Sequence, residues 1–161
     1  MTRIRPLDRE EMPEFEDLFK DAEDRGREVP NLLRVLARKP SILKALRELR
    51  RVTIAEGRVS KELKNMVAQV SSLSAGCNYC AAHNAGFAID MGIPPEKEDQ
   101  IWNYETSALF CEAERAALRL AQNAVQSPNA VTDEDFVQLK QFFDDEQIVE
   151  LLSVIGVFGF Y

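Results

Sequence analysis

Apolar residues recur along most of the chain at the three- and four-residue steps of an α-helix. The clearest run follows Ser60 and consists of Leu63, Met66, Val67, Val70 and Leu73. These positions share one face of a helix with about 3.6 residues per turn. Strand signals are scarce, because no segment alternates for long and no Asn-Gly or Asp-Gly hairpin turn occurs. The pattern predicts an all-α fold, and the length of 161 residues suits a single domain spanning 1–161.

Capping residues, glycines and prolines divide this pattern into helices. Asp8 and Glu11 can form a capping box, and Thr132 with Asp135 predicts a further helix start. Gly26, Gly57 and Gly92 mark helix ends. The predicted helices cover residues 14–25, 30–39, 41–56, 60–75, 77–91, 96–103, 112–126, 133–143 and 146–158.

The charge balance argues against two classes of partner. Twenty Lys and Arg face 27 Asp and Glu, which gives a net charge of -7. Binding to nucleic acid or to an anionic membrane needs a basic surface, so we expect neither partner. The one basic cluster, Arg47, Arg50 and Arg51, shares its segment with Glu48 and is interpreted as a solvated helix face.

The distribution of apolar residues bears on the cellular compartment of the protein. Residues 2–11 are mostly polar, and no stretch approaches the roughly 20 apolar residues of a membrane span. We therefore predict a cytoplasmic protein. In that compartment a Cys-X-X-Cys motif indicates redox or metal chemistry rather than a structural disulfide.

Cys77 and Cys80 form such a motif, followed by the only histidine, His83. Cysteines three residues apart at a helix start lie on one face, within reach of a disulfide. The helix N-terminus favours the thiolate, and a nearby histidine can take the thiol proton. One thiolate could then attack a peroxide oxygen, and the second cysteine could condense with the resulting sulfenic acid.

Two other interpretations of the motif remain open. One is a redox sensor or module without peroxidase activity, and the other is a structural zinc domain. Structural zinc takes four ligands, and no second Cys-X-X-Cys or Cys-X-X-His occurs. Cys111 stands alone in an apolar helical context and is predicted to be a small core residue.

A polar stripe precedes the motif and consists of Glu62, Asn65, Gln69 and Ser72. It is interpreted as a solvated helix face, with the alternative that one member reaches the cysteines and relays protons. Glu62 is the candidate for that role, because it is the only ionisable residue of the stripe.

From Glu62 through Gly92 the chain resembles the AhpD-like alkylhydroperoxidase family of the carboxymuconolactone decarboxylase superfamily. The matching residues are Val70-Ser71, Gly76-Cys77-Asn78-Tyr79-Cys80, His83 and Gly92. A weaker likeness extends through residues 114–118 and from Pro128 to Asp133. The resemblance implies an all-helical fold, peroxidase activity through the cysteine pair, and a homo-oligomer such as a trimer or hexamer.

The resemblance also implies residue roles. Cys80 would attack a hydroperoxide substrate, Cys77 would resolve the intermediate, and a dithiol reductant or redox protein would restore the pair, with no cofactor. The family's relay histidine and glutamate fall at Asn84 and Asn65 here, so His83 and Glu62 are the predicted substitutes. The decarboxylase branch generally lacks the cysteine pair, which argues against that activity.

The last eight residues are almost wholly apolar. They include Val154, Ile155, Val157, Phe158, Phe160 and Tyr161. An exposed apolar patch of this size is rare on a soluble monomer. We therefore predict that the C-terminal end takes part in self-association. The alternatives are that this helix packs inside its own subunit, or that the natural chain continues past Tyr161 and covers it.

Overall fold

The structure, a computed structural model, describes residues 3–55 and 57–160. The helices are α1 (Glu16–Asp24), α2 (Asn31–Leu36), α3 (Pro40–Arg50), α4 (Lys61–Ser74), α5 (Asn78–Ala85), α6 (Pro95–Glu98), α7 (Glu112–Ala124), α8 (Asp133–Leu139) and α9 (Asp145–Phe160). A π-helical turn, Arg51–Ala55, follows α3. Those two ranges contain no strand, and the predicted all-α fold is confirmed.

The helix starts predicted from capping residues are confirmed. Ser60 Oγ accepts the backbone N–H of Leu63 at 3.2 Å and begins α4. Thr132 Oγ1 accepts the N–H of Asp135 at 3.2 Å and begins α8. The Asp8–Glu11 capping box closes a short 3₁₀ turn. These contacts are local in sequence, and each satisfies a backbone donor that the helix itself cannot pair.

The helix predicted over residues 77–91 is wrong beyond Ala85, where α5 ends. The N–H of Phe87 bonds the carbonyl of Asn84 at 3.0 Å, and that of Ala88 bonds Ala85 at 3.1 Å. These three-residue steps tighten the chain out of the α-helix. A 3₁₀ turn, Ile89–Met91, follows and ends at Gly92, whose φ of 88° is left-handed. Other predicted helices also end early, as α8 does at Leu139.

The chain divides into two compact units, Met1–Leu49 and Arg50–Tyr161. In the first unit, Met12, Phe15, Ala37 and Leu43 are buried together. Of the predicted basic cluster, Arg47 pairs with Asp17 in the first unit, with side chains 36% and 59% exposed. In the second unit, the Arg50 guanidinium lies 5.8 Å from the Phe158 ring centroid, and Arg51 is exposed.

The second unit is built around α4, which packs against α5, α7 and α9. Its apolar face supplies Met66, Val67 and Val70, all at most 1% exposed. Leu118 of α7 and Leu151 of α9 are also fully buried in this core. Within the described ranges, no helix is both long and apolar enough to cross a membrane.

The expectation of an exposed apolar C-terminal end is wrong for four residues of helix α9. Val154, Ile155, Val157 and Phe158 are buried in the chain's own core and form no exposed patch. The helix can bury them because it packs against α4 and α7. Phe160 is 58% exposed, and Tyr161 lies outside the described residues.

A buried ion pair ties α9 to the start of α4. Lys64 Nζ lies 2.8 Å from Glu150 Oε2, with side chains 1% and 14% exposed. The Glu150 carboxylate also accepts the backbone N–H groups of Arg58 at 2.7 Å and Val59 at 3.1 Å. A Cβ at Gly57, whose φ is 121°, would lie 2.1 Å from Glu150 Oε2. The carboxylate therefore holds residues 57–59 against α9.

We expect Glu150→Ala to lower the free energy of unfolding by about 3 kcal/mol, because it breaks a buried ion pair and frees two backbone donors. Urea unfolding followed by circular dichroism measures the change. Glu146→Ala is the matched control, since Glu146 is 72% exposed and pairs with Arg58 only at the surface. Equal losses in both variants would contradict a structural role for Glu150.

The same carboxylate predicts a pH dependence. Burial raises the pKa of Glu150, but the bonds from the Arg58 N–H, Lys64 and the Val59 N–H outweigh it, and the net pKa is lowered. Its contribution is therefore fully present above the unfolded carboxyl pKa of about 4.3 and is lost as pH falls through the lowered folded value. We expect the stability gap between wild type and Glu150→Ala to be constant from pH 6 to 8 and to shrink below about pH 4. A gap that does not change with pH would contradict this assignment.

Candidate active site

Helices α4 and α5 form an antiparallel hairpin whose register is fixed by two hydrogen bonds. The backbone N–H of Cys77 donates to the carbonyl of Ser72 at 2.8 Å, beside the turn. At the other end, Asn65 Nδ2 donates to the carbonyl of Asn84 at 3.4 Å. Halfway between these two pairs, Gln69 of α4 comes level with Cys80 of α5.

The two cysteines occupy different environments within one turn. Cys77 is the N-cap of α5 and is half-buried, and its Sγ accepts the backbone N–H of Cys80 at 3.3 Å. Cys80 is only 4% exposed and belongs to the core around α4. The predicted position of the Cys-X-X-Cys at a helix start is confirmed.

The surroundings of Cys80 change the pKa of its thiol. Burial raises the pKa of Cys80, and the hydrogen bond and charge of the Cys77 sulfur raise it further, to about 12. Cys80 is therefore a neutral thiol at rest. A dithiol of this geometry can supply two electrons and close to a disulfide.

His83 lies one turn beyond Cys80, as its spacing requires, and its ring packs between two aromatic side chains. The Tyr79 ring is nearly parallel to it at 6.0 Å, and the Phe87 ring meets it edge-on at 4.9 Å. Tyr79 is 52% exposed. These contacts place the histidine on the outer side of α5, whereas Asn84 lies on the buried side.

Glu62 lies at the exposed start of α4. Its Oε1 is 3.2 Å from the position that a Cβ on Gly92 would take. The carboxylate therefore rests against the turn that closes the α5 region. The buried end of the predicted polar stripe begins one turn later, at Asn65.

The interpretation of that stripe as a solvated face is wrong for its last three members. Asn65, Gln69 and Ser72 are 8%, 4% and 2% exposed. They are buried because they form the surface on which α5 packs. Gln69 Nε2 donates to Glu98 Oε1 at 2.5 Å, and Ser72 Oγ donates to the carbonyl of Ala68 at 2.6 Å.

Sequence analysis missed Glu98 and the buried role of Asn84. Glu98 is 29 residues from Gln69, and no local pattern signals such a contact. Asn84 could have been found, because it follows Cys80 by four residues and therefore shares its helix face.

The prediction that Cys111 is a core residue is wrong, because it is exposed at the N-cap of α7. Its backbone N–H donates to Glu114 Oε2 at 2.9 Å. The residue starts a helix rather than lying on its apolar face. Within the described part of the chain, no three His, Cys, Asp or Glu side chains are grouped so that they could hold a metal ion.

Among solved structures, two of a debrominase, Bmp8, resemble the chain. The apo structure is 30% identical, with a TM-score of 0.90, and the alignment covers 99% of this chain and 86% of that one. A single-residue variant in complex with 2,3,4-tribromopyrrole is 29% identical, with a TM-score of 0.91 and the same coverage. Among curated proteins, no sequence matches at a significant level.

Two structures of peroxidase-related proteins share the fold at 22% identity. One, from Silicibacter sp. TM1040, has a TM-score of 0.81 and covers 99% of this chain and 88% of its own. The other is an alkylhydroperoxidase AhpD core protein from Ralstonia eutropha JMP134, with a TM-score of 0.78 and coverages of 90% and 77%. The resemblance to AhpD-like proteins is therefore confirmed at the level of the fold.

A family model described as "Carboxymuconolactone decarboxylase family" matches residues 40–123. The match spans more than half of the chain and includes α4, α5 and both cysteines of the motif. The chain therefore belongs to the carboxymuconolactone decarboxylase family.

Proposed function

We propose that the chain is a cysteine-dependent oxidoreductase in which the Cys77–Cys80 dithiol passes two electrons to a substrate. One observation carries this proposal: the Cys77 sulfur accepts the N–H of Cys80 at 3.3 Å. That contact holds two thiols within one turn, one at the surface and one in the core. The pair can therefore react with a buried substrate and still be reduced from outside.

The two sulfurs have different roles in this proposal. The Cys77 sulfur lies next to Cys80 at the start of α5, because it accepts the Cys80 N–H at 3.3 Å. As substrate binds, Cys77 takes the proton of the Cys80 thiol, and the Cys80 thiolate attacks. This keeps the predicted role of Cys80 as the attacking cysteine and adds a base role for Cys77.

Hydroperoxides, including hydrogen peroxide, are the first candidate substrates. The Cys80 thiolate attacks the terminal oxygen, the O–O bond breaks, and the departing alkoxide takes a proton. Cys77 then attacks the sulfenic acid on Cys80, water leaves, and a disulfide forms. An external dithiol or a redox protein restores both thiols by exchange.

His83 and Glu62 keep their proposed roles as relay residues in the peroxide reaction. His83 lies one turn from Cys80, and Glu62 lies one turn before Asn65 on α4. The half-buried imidazole can exchange protons with solvent, and the exposed carboxylate lies beside Gly92.

Reductive dehalogenation is the second candidate reaction, and two observations favour it. The family's relay glutamate and histidine are replaced here by Asn65 and Asn84, which cannot exchange protons and which contact each other. The debrominase is also 30% identical over 99% of this chain. In this reaction the Cys80 thiolate takes the halogen, the ring carbon keeps the bond's electron pair and gains a proton, and Cys77 expels halide as the disulfide forms.

We also propose that the chain self-associates through α9. Val149, Leu152 and Phe160 are 60%, 40% and 58% exposed and lie on one face of that helix. An exposed apolar stripe of this kind is typical of an interface between subunits. The AhpD-like resemblance supports a trimer or hexamer.

The thiol environments predict unequal alkylation. We expect iodoacetamide to modify Cys77 and Cys111 first and Cys80 about 10²-fold more slowly at pH 8, because Cys80 is buried and its pKa is about 12. Peptide mapping by mass spectrometry measures each rate. The Cys80 rate should climb with pH beyond pH 10, and in Cys77→Ser it should climb at lower pH, because one cause of the raised pKa is gone. A Cys80 rate that levels off below pH 9 in the wild type would contradict this assignment.

Turnover assays test whether both cysteines of the dithiol are needed and which substrate is reduced. We expect multiple turnovers with a dithiol reductant and either a hydroperoxide or 2,3,4-tribromopyrrole, measured as peroxide loss or bromide release. Cys77→Ser and Cys80→Ser should each lower the rate by about 10²-fold or more, and Cys111→Ser should not. A sulfenic acid should be trapped on Cys80 in Cys77→Ser. Oxidation without turnover on either substrate would instead favour a redox sensor.

Self-association has its own test. Light scattering should give a multiple of 18.3 kDa for the wild type. Val149→Glu should lower the mass, because it places a charge in the α9 stripe. Val137→Glu is the matched control, since that valine is 64% exposed on α8. A wild-type monomer at micromolar concentration would exclude the proposal, and an unchanged oligomer in Val149→Glu would place the interface elsewhere.

A further inference from the structure

Four buried polar atoms between α4, α5 and α6 have no hydrogen-bond partner among the described residues. They are Asn65 Oδ1, Gln69 Oε1, Asn84 Nδ2 and Glu98 Oε2. The three amide side chains are at most 8% exposed. A buried polar atom without a partner is costly, and native proteins pair the large majority of buried side-chain polar atoms. Several together in one place indicate that a polar group of a ligand completes the set.

We propose that these side chains form a substrate subsite beside Cys80 that accepts a hydrogen bond from a neutral N–H or O–H group. The inference rests on the proposed dithiol function, which supplies the chemistry at Cys80. It adds to that function a binding site that would select one chemical class of substrate.

The hydrogen bonds already present fix which amide atoms are open. Asn65 must turn its NH₂ group toward the carbonyl of Asn84, because an oxygen there would face another acceptor. Gln69 must likewise turn its NH₂ group toward the Glu98 carboxylate. The open atoms of these two amides are therefore oxygens. With Glu98 Oε2 they make three acceptors against one donor, Asn84 Nδ2.

The register of the hairpin brings this cluster to the reactive sulfur. Gln69 is level with Cys80, between the Ser72–Cys77 and Asn65–Asn84 contacts. Asn84 follows Cys80 by one turn on the same buried side of α5. By this register, a small molecule held by the acceptors would lie on the side of α5 that carries Cys80.

The residues around the subsite restrict the polarity and charge of the ligand further. Cys80 belongs to an apolar core that includes Met66 and Val70, so most of the ligand surface must be apolar. Three acceptors, one of them on a carboxylate, disfavour an anionic substrate. A small halogenated ring with an N–H or O–H group meets both conditions. Asn84 Nδ2 can then donate to the halide that Cys77 expels from Cys80 as the disulfide forms.

Binding tests the subsite separately from turnover. The probes are 2,3,4-tribromopyrrole and its N-methyl derivative, titrated calorimetrically into the full chain carrying Cys77→Ser, so that the disulfide cycle cannot run. We expect the N–H ring to bind at least about tenfold more tightly, because methylation removes the donor and leaves buried acceptors unpaired. In the same background, Gln69→Met and Asn65→Leu should each bring the two affinities to within about threefold.

The controls separate recognition from folding. Gln126→Leu removes an exposed amide from the end of α7 and should keep the full preference for the N–H ring. Thermal unfolding of each variant shows whether it is folded when titrated. Because Gln69 and Asn65 are replaced in separate variants, the test needs only one of the two variants to fold.

Two results would overturn the subsite. One is equal affinity of the Cys77→Ser chain for both rings, or no affinity for either. The other is an unchanged preference in both folded variants. Neither result touches the dithiol proposal, which depends on turnover and on Cys77 and Cys80. Conversely, N–H-selective binding without any turnover would support the subsite and refute the reaction.

Discussion

The polar face of α4 must be buried for the cysteine helix to pack where it does, and the rest of the site depends on that constraint. Asn65, Gln69 and Ser72 together bring an amide, a second amide and a hydroxyl into a core of Met, Val and Leu side chains. Replacing them by apolar residues would remove the desolvation cost of these groups. Their burial is therefore better explained by the contact that they make with α5 and by the polar ligand group that we propose beside Cys80.

The opposite face of the same helix supplies stability. Met66, Val67 and Val70 pack between α7 and α9, and the Lys64–Glu150 pair fixes the start of α4. Helix α4 is thus anchored by apolar contacts and by the Lys64–Glu150 ion pair. A rigid support of this kind allows the few polar atoms near Cys80 to keep a defined geometry, as a reactive site requires.

The sequence was sufficient to predict the features that depend on contacts between residues close together in the chain. Ser60 and Thr132 cap their helices through contacts three residues away, and Cys77 caps α5 in the same way. It was insufficient where a contact joins distant segments, as between Gln69 and Glu98. Periodicity alone could not show which face of α4 would meet water, because both of its faces are covered. For the same reason, an apolar C-terminal helix could not be assigned to the core or to an interface.

The unequal burial of the two cysteines also bears on how the site is regenerated. An external reductant must attack a sulfur that it can reach, and Cys77 is the half-buried member of the pair. In the proposed cycle, such attack places the mixed disulfide on Cys77 and releases Cys80 as a thiol in the core, where burial raises its pKa. A protonated Cys80 does not react with the reductant's thiols or with stray oxidants. In the proposed function, the raised pKa would therefore protect the buried sulfur between turnovers, and the reaction would begin when a substrate occupies the site and Cys77 removes the proton.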